Sequence, residues 1–477
     1  MKSSFVSLLA LATAALSGAA AEPAAHAPSL DAFGGWTNLK GRATGWFHLE
    51  SFNGRTLLVT PAGHGFVALG VNHLNAVKSH GPDEPDLFRT RYGGDWEKYA
   101  AEVLRYFDAW GLNTVDEGVE PLRRVRPYFA GRDFVATAKY KRPPGEPGAW
   151  EFPDVFDPAV VARLERDVEA FCREHRDNKN LIAYYWTDTP TWDVRKTRVF
   201  RQTDWVSEIR KLAATAAGKQ RYARFLGERH GGDLARVNRA YGLSLQSFAD
   251  LPGADFAGVD LNRYEVARDD EVFLGLIARE YYGIVGPAMR RHDPHHLVFG
   301  EKYLLGDIPS QVLAAAVPHV DAIAVQPGDG YIPIYTPGDI FPRDEFAELH
   351  ALSGKPIMIC DHQIGFPSAR YPRSIWPYHL RANEAEAAAA TERFMREAFA
   401  CAYIVGYMRC QYIDRFADRR GAIKLGLLRD DSTPYVELVA ATTRASVAIR
   451  RDVFARAENR SRETTSPPSG QTIRDRP

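Results

Sequence analysis

Polar residues close several of the apolar runs in this chain. LIAYYWTDTPTWD (181–193) carries Asp188 and Thr189 between Trp186 and Trp192, LVFGEKY (297–303) ends in Glu301, Lys302 and Tyr303, and PIMICDHQIGF (356–366) holds Asp361, His362 and Gln363. Asn72 with His73, Asp116 with Glu117, Gln326, and Arg409 with Gln411 and Asp414 occupy the same kind of position. Paired carboxylates among Trp and Tyr are the equipment for cleaving a glycosidic bond: one carboxyl protonates the leaving oxygen while the other attacks or activates water. By position, Asp361 is the expected nucleophile or base, Asp188 the expected acid and Glu301 a substitute acid. The bland readings are a hydrogen-bonding anchor for Asp188 and an ion pair with Lys302 for Glu301.

A wider set of residues is expected to bind substrate. Asn72, His73, Glu117, Thr189, Lys302, Gln326, His362, Gln363 and Gln411 would offer hydrogen bonds, and Trp186, Trp192, Tyr303, Tyr331, Trp376 and Tyr412 are candidate platforms for sugar rings, about half of them expected to be core instead. Arg409 suits a planar carboxylate or a sulfate and so points to an anionic sugar, unless it pairs with Asp414 or Asp361. HExxH, CxxC, GxSxG, GxGxxG and GxxxxGK[ST] are all absent. Neither a metal, a nucleotide nor another cofactor is therefore expected. Lys plus Arg and Asp plus Glu both number 60 in 477 residues, so no bulk field attracts nucleic acid or an anionic membrane. The expected partner is a carbohydrate.

The elements that must position these residues alternate along the chain. GWFHLESFNGRTLLVT reads as a short hairpin turning at Asn53-Gly54, and GHGFVALGVNHL as a nearly continuous buried strand. Strands then alternate with helices: Asp95 and Gly111 bracket one helix, Asp157-Pro158 starts another, and Asn383 with Glu386 forms a capping-box start for an Ala-rich one. Eight such units predict a (β/α)8 TIM barrel with a short N-terminal β-hairpin and a helical insertion after strand four, at about 204–253. The site then belongs at the C-terminal ends of the strands.

Residues 1–21 have the Lys, apolar run and small-residue end of a secretory signal peptide, with a second cleavage position after Ala27. The run is too short to span a bilayer, and export is the expectation. The hydrolase-like domain is expected over 28–455, and the tail 458–477 has too few apolar residues to order itself. The four cysteines fall in helix or strand interiors and read as buried free thiols.

Taken in order, GRTLLVTPAGHGFVALGVNHL, WGLNTV, VFDP, YARFLGERHGGDLARVNRAYGLSLQSFADL, HDPHHLVFGEKY and KPIMICDHQIGF resemble the clan A glycoside hydrolases, and within them the β-agarases of glycoside hydrolase family 50. The resemblance spans roughly 35–445 and implies a secreted (β/α)8 hydrolase acting on an oligo- or polysaccharide. In that family the acid/base is a Glu following an Asn at the end of strand four, and the nucleophile is a Glu ending strand seven. By that correspondence the Asn falls on Asp188, the acid/base on Thr189 and the nucleophile on Asp361, so both catalytic Glu positions are altered. Arg409 stands where those enzymes tend to carry a Trp platform. A polysaccharide lyase acting on uronates and an inactive glycan-binding relative are the alternatives.

Overall fold

The computed structural model describes residues 29–463 except 79–85, 117, 136–151, 191, 202, 328–339, 368–380 and 417–421. The leader and residues 464–477 of the expected tail lie outside the described residues, whereas residues 458–463 of that tail are ordered as the end of the helix Val436–Glu463. Near the N-terminus, β1 (Trp36–Lys40), β2 (His48–Phe52), β3 (Arg55–Val59) and β4 (His64–Phe66) form an antiparallel sheet in the order β1-β4-β3-β2. The β2–β3 turn is Asn53-Gly54, both with positive φ (54° and 79°), as a type I′ hairpin needs. The expected hairpin is thus half of a four-stranded sheet. Its continuation is not one strand: the apolar run breaks at Val67, with β4 in this sheet and β5 (Ala68–Val71) in the next.

β5 opens a closed parallel barrel completed by β6 (Thr114–Asp116), β7 (Tyr128–Gly131), β8 (Leu181–Asp188), β9 (Leu297–Leu304), β10 (Ile323–Gln326), β11 (Ile357–His362) and β12 (Ile404–Arg409). Phe47, Leu58 and Phe66 of the small sheet cluster with Ala68, Phe129, Ile182, Phe299, Met358 and Met408 of the barrel interior. The sheet is therefore a hydrophobic plug, and it leaves the polar strand ends at the other mouth. Gly70 pairs with Thr114 of β6, and a Cβ there would lie 1.9 Å from the Thr114 carbonyl oxygen.

Between β8 and β9 the helices Val194–Arg201, Trp205–Lys211, Ala217–Arg229 and Leu234–Tyr241 make an excursion. Two adjacent carboxylates on the long helix Tyr264–His292 pin it. Asp270 pairs with Arg198 and Arg210, and Asp269 with Arg229 and His230 while accepting from Tyr241 at 2.9 Å. All four cysteines are buried and free. Among the described residues no helix is long and apolar enough to cross a membrane.

An aromatic layer fills the space between β8, β9 and the long helix. Trp186, Trp192, Trp205, Tyr281, Tyr282 and Tyr303 are all essentially inaccessible, with Trp192 stacked on Trp205 at 4.7 Å and on Tyr282 at 5.6 Å. The strand pleat sends Glu301 into this layer, opposite to Lys302. Glu301 Oε2 accepts from Trp192 Nε1 at 2.5 Å and from the Tyr282 hydroxyl, which also meets the Tyr303 hydroxyl, while Oε1 has no hydrogen bond among the described residues. Burial pushes this carboxyl from its ordinary 4.5 up to about 7, against the lowering effect of Tyr282 and Trp192.

Two outcomes follow from this packing. Gly70→Ala should destabilise the barrel by about 3 kcal/mol or more, read as a shift in denaturant midpoint, because the methyl cannot be placed without parting β5 from β6. Glu301 holds its proton more tightly folded than unfolded, so the stability it contributes is complete below about pH 4.5 and lost as pH rises to about 7. Between about pH 5 and pH 8 the wild type should lose roughly 2.5 kcal/mol relative to Glu301→Gln. Parallel stability curves for the two proteins would refute the assignment.

Candidate active site

At the C-terminal mouth of the barrel, Lys302 is the hub. It lies on β9 and is 3% exposed, yet its Nζ donates to Asp116 Oδ2 at 2.8 Å, sits 4.0 Å from Asp361 Oδ2 and lies 4.9 Å from the centre of the Tyr185 ring. An ammonium held this far from water requires carboxylates beside it, and β6 and β11 deliver them. Asn72, from the end of β5, donates Nδ2 to Asp361 Oδ1. Across the mouth Asp188 Oδ1 accepts from Gln326 Nε2 at 2.6 Å and from the Thr189 hydroxyl at 3.2 Å. Its backbone N–H donates to Asp133 Oδ1 at 2.9 Å. A cavity of about 380 Å³ runs beside these groups, lined by Asp116, Asp133, Tyr185, Asp188 and Lys302.

The backbone at this rim is unusual. His73, Thr189 and Asp361, at the ends of β5, β8 and β11, have φ of 56°, 55° and 53°. Left-handed conformations cost about 1–3 kcal/mol for residues other than Gly, most of all for a β-branched Thr, and persist where the surroundings over-determine them. Thr189 is held by its N–H on the Lys302 carbonyl at 3.1 Å. Several buried polar atoms have no hydrogen bond among the described residues: Asn72 Oδ1, Tyr185 Oη, Gln326 Oε1 and both amide atoms of Gln411. Groups of this kind are what sugar hydroxyls would satisfy.

Asn72, Asp116, Asp188, Thr189, Lys302, Gln326 and Asp361 thus converge, and His73 and Gln411 stand at the same strand ends. Gln363 is buried just past β11. Several other candidates are placed elsewhere. Glu301, Trp192 and Tyr303 belong to the aromatic layer behind β8 and β9, so those rings, expected as sugar platforms, pack against one another, while Trp186 packs in the same layer and also lines the cavity. Tyr412 is core, edge-on to Tyr99. His362 stacks on Phe394 at 3.8 Å, with its Nδ1 2.6 Å from the Tyr407 hydroxyl.

Arg409, in register with His362, also lies behind the wall, donating to the Ile364 carbonyl at 2.7 Å and to the Thr391 hydroxyl at 3.3 Å. Its guanidinium therefore does not enter the mouth as a ligand for an anionic sugar. Among the described residues Asp414 forms no ion pair with it and is matched instead with Lys424, the Tyr435 hydroxyl and the Gly426 N–H. Glu117, Tyr331 and Trp376 lie outside the described residues. The sequence reading missed three groups. Asp133 follows a weak strand, Tyr185 was discernible only as an inward position of β8, and Cys410 adjoins His73 and Asp361 only in space.

No known family profile matches the chain. It is 20% identical to β-agarase B of Vibrio sp. (strain JT0107) over 87% of its own length and 49% of that protein's, and so spans about half of that curated relative. Among solved structures, PfGH50B superposes with a TM-score of 0.74 at 19% identity, covering 89% of this chain and 69% of the other. An exo-β-agarase gives a TM-score of 0.74 at 18% identity, covering 89% and 68%. A β-galactosidase from Halorubrum lacusprofundi gives 0.52 at 13% identity, covering 80% and 58%. In sequence order and in its (β/α)8 fold, the chain resembles the family 50 β-agarases.

Proposed function

We propose that the chain is a glycoside hydrolase of the agarase type, cleaving a β-linked galactan or a related glycan. The observation that carries the reading is the pair Asp188 and Asp361 at one barrel mouth, each held by its own donors around the Lys302–Asp116 pair. Asp361 receives the Asn72 amide on one oxygen and has the Lys302 ammonium near the other, an environment that favours its ionised form. It is the base or nucleophile. Asp188 is the acid, its carboxyl positioned by Gln326 and the Thr189 hydroxyl on Oδ1.

Two Asp side chains reach less far than two Glu. A wider gap would admit water between Asp361 and the sugar, and inversion at the anomeric carbon follows. A lyase acting on uronates is less well supported, because Arg409, its expected neutralising cation, donates to Ile364 and Thr391 behind the wall. Export, read from the leader, suits an enzyme whose substrate is an external polymer.

On a panel of agarose and related galactan oligosaccharides, reducing ends should appear without an ultraviolet-absorbing double bond. Asp361→Asn and Asp188→Asn should each lower kcat by roughly 10²–10⁴-fold while glycan binding persists. Full turnover by Asp361→Asn overturns the nucleophile assignment, an absorbing product identifies a lyase, and binding without turnover by the wild type identifies a glycan-binding relative.

A further inference from the structure

Three residues of different chemistry meet at one side of the mouth. His73 follows β5, Asp361 is in β11 and Cys410 follows β12, and these strands are neighbours in the order β11-β12-β5. An imidazole nitrogen, a carboxylate oxygen and a thiol sulfur lie within 4.8 Å of one another, and the three residues are 5%, 1% and 4% exposed. We propose that His73, Asp361 and Cys410 form a binding site for a divalent ion of the zinc class.

The donor set selects the ion. Magnesium and calcium take oxygen ligands, whereas a mixed nitrogen, sulfur and oxygen set at tetrahedral spacing suits zinc and its neighbours. Zinc holds nitrogen at about 2.0–2.1 Å and sulfur at about 2.3 Å, which puts its ligands about 3.5 Å apart. Adjustments of about an ångström would close the set. Three protein ligands leave a fourth position for water or a sugar hydroxyl.

The surroundings support the assignment. The Asn72 amide donates to Asp361 Oδ1 and so orients the carboxylate, as outer partners of metal ligands do. Two of the three residues, His73 and Asp361, are held in left-handed backbone, which points to a geometry set by more than local preference. Charge also balances. Asp116, Asp361 and Lys302 together carry one negative charge, a metal-bound thiolate adds a second, and a divalent ion cancels both. The dispersal of the ligands over positions 73, 361 and 410 hides the site from any short motif.

The site stands on this geometry alone, and its effect on catalysis rests on the hydrolase reading. A carboxylate that ligates a cation is not available to attack or to activate water, so bound zinc should inhibit turnover. The test is titration of the purified, chelator-treated full chain with zinc by calorimetry and with cobalt by absorption. One ion per chain and a thiolate-to-cobalt charge-transfer band are expected. Cys410→Ser should abolish the band and weaken zinc binding at least ~10-fold, and His73→Ala should weaken it likewise, with thermal melting to verify the fold. Equal zinc affinity in wild type and Cys410→Ser, or cobalt binding without the band, overturns the site. Zinc bound through Cys410 that leaves glycan turnover unchanged would instead overturn the role given to Asp361 in hydrolysis.

Discussion

The buried ammonium of Lys302 is the constraint around which the barrel mouth is organised. A charge at that depth costs several kcal/mol unless it is paired, and the pairing must come from other strands because the neighbours of Lys302 on β9 face away. Asp116 from β6 answers at 2.8 Å, and Asp361 from β11 stands at 4.0 Å. Three strands far apart in sequence are thereby tied at the end where polar residues accumulate. The same contacts position Asp361, so one electrostatic requirement serves both the fold and the proposed chemistry.

Which residues reach that mouth is decided by the pleat and its interruptions. On β9 the alternation sends Lys302 inward and Glu301 and Tyr303 outward, and the positive φ of Gly300 accompanies a register shift against β8. On β11 and β12 the same logic places His362 and Arg409 behind the wall, where they meet the helix Glu384–Ala400 through Phe394 and Thr391. Polar residues at the ends of strands thus divide into two populations. One lines the mouth, and the other fastens the helices to the barrel.

The second population is not idle. Glu301 buries a carboxyl among six aromatic rings, which raises its proton affinity. Asp269 and Asp270 clamp the insertion that follows β8 to the long helix. Because Trp192 and Trp205 belong both to that insertion and to the aromatic layer around Glu301, the excursion is packed as part of the wall that supports β8 and Asp188.

The sequence by itself determined the alternation of apolar runs with capped helices, and with it the eight-stranded barrel, the hairpin at Asn53-Gly54 and the end of the barrel where polar residues collect. These features were legible because they rest on local signals: period, caps and turn residues. It also identified Asp188, Asp361, Lys302, Gln326 and Asn72 as mouth residues, since a strand's last residues must lie at its end. Only the tertiary structure decided which side of the wall each residue takes. A single register shift reverses the facing of a side chain, and no local pattern marks one. For that reason Glu301, Trp192, His362 and Arg409 read as site residues in the sequence and stand behind the wall in the fold, while Cys410 beside His73 and Asp361 emerges only when the barrel closes.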